Sequence, residues 1–168
     1  MKLIITYFQI INLIYLITSC DLTHWYYNQE TTLAIVKPEF ANVNNMGIIS
    51  SYIINQGSEE GQKLELINWR KEKLDKKRVE EFYEEHEGKG FFEDLVKYMI
   101  SDEVYLFQLK GYKAISRWRN YIGSTDPEVD RKNNVNSLRA LIGLDKTKNG
   151  FHGSDSLLSS VREIDLFY

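Results

Sequence analysis

Asn149-Gly150-Phe151-His152-Gly153-Ser154-Asp155-Ser156, close to the C-terminus, places one histidine on a tight turn of small residues just before an amphipathic run, residues 157–166. Gly153 frees the backbone to pass close to a ligand, and Ser154 or Asp155 is suited to cap the helix that follows. The imidazole is thereby expected beside the positive end of a helix dipole, where a phosphate is favoured. A histidine so placed can act as a nucleophile toward phosphorus. A lone histidine in a polar turn more often only bonds its neighbours, so the reading depends on what the rest of the chain supplies.

Upstream of this octet, residues 137–142 read as a short helix and 123–136 as a polar loop. Residues 112–121 form a helix, 103–109 a strand, and Phe91 to Met99 an amphipathic helix after the Gly88-Lys-Gly90 turn. Asp75 caps a charged helix with Val79, Phe82 and Tyr83 inward, and 64–69 is a further strand. Residues 45–56 carry Met46, Ile49, Tyr52 and Ile53 at helical spacing and end at Gly57, before a polar turn over 58–62. Thr31-Thr-Leu-Ala-Ile-Val36 is a β-rich run stopped by Lys37-Pro38. Strands and helices alternate without the regular repetition of a doubly wound fold. The pattern predicts an α+β domain, one small sheet with helices on one side, with no internal repeat and no second domain.

With 168 residues, 43% hydrophobic and 13% aromatic, the chain can bury a real core and is not a disordered polymer. A net charge of −3 gives no general attraction to nucleic acid or to an anionic membrane, so an anionic substrate has to be held by a few local cations. The single cysteine, Cys20, excludes an internal disulfide and a cysteine metal site, and His24, His86 and His152 lack ligand spacing. Residues 1–20, a basic start followed by an apolar run and Thr18-Ser19-Cys20, read as a secretory signal peptide; an uncleaved anchor, or a segment without secretory meaning, are the alternatives. Membrane contact would come through residues 1–20 alone. A signal would send the chain to the secretory pathway or outside the cell, and its absence would leave it cytoplasmic. Residues 21–30 are a connector, and 31–168 the folded domain.

Phosphoryl transfer needs cations around the phosphates, a nucleophile in line and a seat for the nucleotide. Lys37, Arg119, Thr125, Arg139, Asn149 and His152 are the scattered candidates. The octet, Leu33-Ala-Ile-Val-Lys-Pro-Glu39, Phe91-Phe-x-x-Leu-Val-Lys-Tyr-Met99, Gly123-Ser-Thr-Asp-Pro127, Leu138-Arg-Ala-Leu-Ile-Gly143 and Arg162-Glu-Ile-x-Leu-Phe167 follow one another in an order that resembles the nucleoside diphosphate kinase family. The resemblance covers residues 31–168, and the Leu138-Arg-Ala-Leu form with its longer preceding loop is more like the family's divergent eukaryotic branch.

This resemblance implies a ferredoxin-like sandwich and a ping-pong reaction in which His152 takes the γ-phosphoryl group of ATP or GTP and passes it to a nucleoside diphosphate. Lys37 would contact the transferring phosphate with Tyr83 beside it; Arg119, Thr125 and Arg139 would hold the other phosphates. Asn149 would bond the sugar hydroxyl, Phe91 would stack on the base and Leu95 would lie next to it. Glu163, with Ser154 next to it, would orient the imidazole. Mg²⁺ would arrive on the nucleotide phosphates and need no protein cage. Free imidazole, with a pKa of ~6.5, is substantially neutral at pH 7 and attacks without a strong base. Stacking accepts any base, and no residue near Phe91 in sequence is built to read a base edge, so loose base selectivity is expected.

Lys89-Gly90 stands where the family commonly has Arg-Pro, which implies a looser nucleotide clamp. Extra residues around 58–63 and 128–136, and a chain that stops just after Leu166-Phe167, leave the homo-oligomer as a hexamer or a dimer. The alternative function is a catalytically weak or inactive nucleotide-binding or scaffold module of the same fold. The acidic balance and the lack of a basic aromatic stripe exclude a nucleic-acid partner.

Overall fold

Leu33, Ala34, Ile35 and Val36 are consecutive and all fully buried, so the strand that carries them is covered on both faces. That strand is β1 (Gln29–Val36) of a computed structural model that describes residues 28–41, 47 and 63–168. The expected signal segment, most of the connector, Cys20, His24, the helix over 45–56 apart from Gly47, and the turn over 58–62 lie outside the described residues.

Lys37-Pro38 ends β1 as expected, in a short 3-10 turn, Pro38–Phe40. Then come β2 (Glu65–Lys73), α1 (Lys76–Phe82), α2 (Phe92–Met99) and β3 (Glu103–Tyr112). The second half holds α3 (Ala114–Ile122), α4 (Pro127–Asn133), α5 (Leu138–Ile142), β4 (Phe151–Gly153) and α6 (Leu157–Phe167). All strand pairs are antiparallel, in the order β2-β3-β1-β4. This is the α+β, ferredoxin-like sandwich that the resemblance implied.

The period of two divides the core. Leu33 and Ile35 of β1, with Val104 and Leu106 of β3, pack under α1, α2 and α6 through Val79, Phe82, Leu95, Met99 and Phe167. Ala34 and Val36, with Phe107 and Leu109, pack on the other face against Trp118 and Ile122 of α3, Leu138 of α5 and Phe40. Helices therefore cover both faces, which corrects the one-sided layering predicted from pattern. A residue-by-residue buried run such as Leu33 to Val36 is the signal for it.

Four local expectations change. The loop over 123–136 contains α4, capped by Asp126 with Pro127 at its first position, and this Asp-Pro pair was the available signal. Buried Asp130 ties α4 down, accepting from Ser124 N (2.7 Å) and Ser137 Oγ (2.7 Å). Next, His152 lies not on a turn but in β4, opposite Ile35. The cap of α6 is neither Ser154 nor Asp155 but Ser156, whose Oγ accepts from Ser159 N at 3.1 Å. Finally, α6 turns Leu157, Leu158 and Val161 outward and buries Ser160, Glu163 and Phe167. Its inner face is chosen by hydrogen bonds, among them Ser160 Oγ to the Thr31 carbonyl at 2.6 Å, as well as by Phe167.

Candidate active site

β4 is three residues long and lies at one edge of the sheet, and its alternation decides the site. Phe151 goes into the core beside Phe40 and Trp118. His152, opposite Ile35, points to the side of α1 and α6, where the Phe82 ring meets it edge-on at 4.8 Å. All three β4 carbonyls accept a side-chain donor: Phe151 O from Arg139 Nη2 (2.8 Å), His152 O from Trp118 Nε1 (2.9 Å) and Gly153 O from Arg119 Nη1 (3.0 Å). The edge strand is thus locked from outside, and both guanidiniums are fixed next to the histidine.

Gly153 has a different task from the one expected of it. A Cβ there would come within 2.8 Å of Trp118 Nε1, so the glycine admits the indole rather than a ligand.

His152 Nε2 lies 2.9 Å from Glu163 Oε2. The same oxygen accepts from Ser154 Oγ at 2.7 Å, and Ser154 Oγ accepts from Leu33 N at 3.1 Å. Glu163, buried on α6, is therefore held from β1 through Ser154 and in turn holds the imidazole.

Cations line the same cleft as the histidine. Arg139 is buried, and burial together with neighbouring Arg119 lowers its pKa to about 10, which leaves it charged at neutral pH. Its Nη1 donates to the Gly123 carbonyl at 2.7 Å, while its buried Nε has no hydrogen-bond partner among the described residues. Lys37, just past β1, donates from Nζ to Asn149 Oδ1 (2.8 Å) and the Thr147 carbonyl (3.2 Å). Burial, then Arg139, brings the Lys37 pKa down to about 7. Asn149 Nδ2 donates to the carbonyls of Thr125 and Lys146, each at 3.0 Å. This amide joins Lys37 to two loops.

Tyr83, expected beside Lys37, is buried with its hydroxyl unpaired among the described residues, and burial raises its pKa. The ring over the Lys37 ammonium is that of Tyr98, at 5.9 Å to its centroid.

One cleft of about 560 Å³ collects Lys37, Tyr83, Phe91, Leu95, Arg119, Thr125, Arg139, Asn149, His152 and Glu163. Every proposed contact residue except Ser154 lines it, and Ser154 stands behind Glu163. Phe91 is 47% exposed at the start of α2, with the His86 ring edge-on at 5.5 Å. Sequence reasoning missed Phe82, His86, Trp118 and Lys146. Phe82 and Trp118 were legible only as core aromatics, because their roles depend on which helix packs on β4. Lys146, three residues before Asn149, was within reach.

An antiparallel ferredoxin-like sandwich with a carboxylate-backed histidine and buried cations in one cleft defines the class of α+β protein. Within that class the chain belongs to the nucleoside diphosphate kinase family, whose family model, described as nucleoside diphosphate kinase, matches residues 30–168. It is similar to the nucleoside diphosphate kinases of Haemophilus ducreyi (37% identical) and Wolbachia pipientis (40%), each over 139 residues that cover 83% of this chain and 94% of the relative. The crystal structure of the Aquifex aeolicus nucleoside diphosphate kinase superposes with a TM-score of 0.76 at 36% identity, covering 83% of this chain and 95% of that one.

Proposed function

We propose that this protein is a nucleoside diphosphate kinase, moving the γ-phosphoryl group of ATP or GTP to a nucleoside diphosphate through a phosphohistidine at Nδ1 of His152. The observation that carries this reading is the 2.9 Å contact of His152 Nε2 with Glu163 in a cleft whose lining includes Lys37, Arg119 and Arg139. A neutral imidazole that donates its Nε2–H to a carboxylate bears its lone pair on Nδ1. Attack of Nδ1 on the γ-phosphorus forms the N–P bond as the bond to the β,γ-bridging oxygen breaks, and that electron pair leaves with the diphosphate product. The ring is then positively charged against the Glu163 carboxylate, which Ser154 holds in place. In the second half a terminal oxygen of another diphosphate attacks the phosphorus, and Nδ1 recovers its pair. No proton has to move in either half.

Arg119, Arg139, Lys37 and Thr125 take the phosphates, and fixed cations offset the charge spread over the transferring group. Both Asn149 Nδ2 protons are engaged, but Oδ1 keeps a second lone pair for a sugar hydroxyl. Phe91 supplies the stacking face and Leu95 lies beside it. Cations dominate the phosphate end, and no group of three metal-ligating side chains occurs among the described residues. Mg²⁺ would be carried by the nucleotide phosphates and neutralise part of their charge.

Incubation of the full chain with γ-labelled ATP and Mg²⁺, then a chase with a second diphosphate, tests this. Acid-labile, alkali-stable label on the protein should pass to the acceptor, and His152→Ala should take up none while keeping its fold. Glu163→Gln should slow labelling by about 10²-fold, in the range for loss of a positioned ionic partner. A folded protein that never takes up label would leave a nucleotide-binding module without the activity.

A further inference from the structure

Lys37, Arg119 and Arg139 are absorbed by the phosphate end of the cleft, but a further lysine lining it, Lys146, has no part in that chemistry. It lies on the segment between α5 and β4. The Lys146 carbonyl is tied to Asn149 Nδ2 at 3.0 Å, and Asn149 Oδ1 to Lys37 Nζ at 2.8 Å, so this run of contacts leads from the buried lysine outward. The Lys146 side chain is 74% exposed, and its Nζ is 3.3 Å from Asp126 Oδ2. Asp126 is itself fixed, because its Oδ1 accepts from Glu128 N at 3.0 Å as the cap of α4. One ammonium proton is held by this anchored carboxylate, and two remain to donate. Phe91, the half-exposed ring of the same cleft, provides a stacking surface that accepts any base. Discrimination between bases would need a polar group at the base edge, and Lys146, exposed and lining the same cleft as Phe91, carries an ammonium suited to it.

We infer that Lys146, positioned by Asp126, reads the edge of a purine stacked on Phe91 and makes guanine and hypoxanthine nucleotides the preferred purine substrates. An ammonium only donates. Guanine and hypoxanthine present two adjacent acceptors, O6 and N7, whereas adenine presents N7 beside an amino group that also donates. The exposed ion pair with Asp126 is weak enough to share its lysine with a ligand. This inference rests on the nucleotide reading of the cleft and replaces the loose base selectivity expected from stacking alone.

Calorimetric titration of the full chain with GDP, IDP and ADP tests it, using wild type, Lys146→Met and Asp126→Asn. Wild type should bind GDP and IDP about tenfold more tightly than ADP. Lys146→Met should bring the three to within about threefold of one another, and Asp126→Asn should lose part of the preference. Equal affinities in wild type would overturn the inference. So would a Lys146→Met variant that weakens all three ligands alike, which is the mark of a phosphate contact. The readout is binding, so a purine preference in a protein that never forms phosphohistidine would reject the kinase reading and sustain this one. Normal phosphotransfer without the preference would do the reverse.

Discussion

The Lys37 ammonium keeps two hydrogen-bond acceptors, yet burial and the neighbouring Arg139 hold its pKa at about 7 against an ordinary 10.5. Between those values the unfolded chain binds the proton and the folded chain releases it. This lysine's contribution to stability therefore improves as pH rises from about 7 toward 10.5, and its full charge-burial penalty is felt below about 7. A polyphosphate in the cleft reverses the local balance by favouring the charged form. Nucleotide binding at pH 8 should therefore take up on the order of one proton, and uptake should fade by pH 6, where the free protein is already protonated. Calorimetry in buffers of different ionisation enthalpy measures this directly. Lys37→Arg, charged throughout, should lose the uptake. Wild type that binds nucleotide at pH 8 without gaining a proton would rule out the coupling.

At the scale of elements, β4 carries the site because its neighbours press on it from both sides. Its carbonyls are bonded by Arg139, Trp118 and Arg119, and Gly153 leaves room for the indole. Gly153→Ala forces the new methyl group into Trp118, so the strand or α3 has to shift. The expected cost is about 1–3 kcal/mol, read as a lower denaturation midpoint, together with a loss of phosphotransfer as His152 moves off line. A variant with unchanged stability and rate would show that β4 is not packed this tightly. Here the limits of legibility are physical. Contiguous chemistry, such as the Lys37-Pro38 stop and the Asp75 cap, could be read directly, because those interactions are local. Within the octet the strand and the Ser156 cap were not read, because pairing with β1 decides them. Trp118 on the His152 carbonyl, Phe82 on the imidazole and Leu33 N on Ser154 Oγ were hidden, because they join residues far apart in the chain. The outward leucines of α6 show the same limit, since buried hydrogen bonds of Ser160 and Glu163 outweigh the apolar pattern on that helix.

For the molecule as a whole, the cleft draws on both cores. His152, Tyr83, Leu95 and Glu163 belong to the side of α1, α2 and α6, while Arg119 and Arg139 come from α3 and α5 on the opposite face of the sheet. A ligand that satisfies both groups fastens the two layers to each other and offsets the repulsion among Lys37, Arg119 and Arg139. Binding to the folded state alone stabilises it by ~2.7 kcal/mol at a free concentration 100 times the Kd. For a chain of this size that corresponds to a rise in Tm of roughly 5–11 °C. A thermal scan with and without ADP should show a single transition moved upward by that amount in the wild type. His152→Ala should keep most of the shift, since the imidazole contributes to transfer more than to binding. Arg139→Ala should lose most of it and melt lower without ligand as well, because the Gly123 and Phe151 carbonyls then lose their donor. An Arg139→Ala protein that responds to ADP like the wild type would place the phosphates elsewhere and break the link between the two layers.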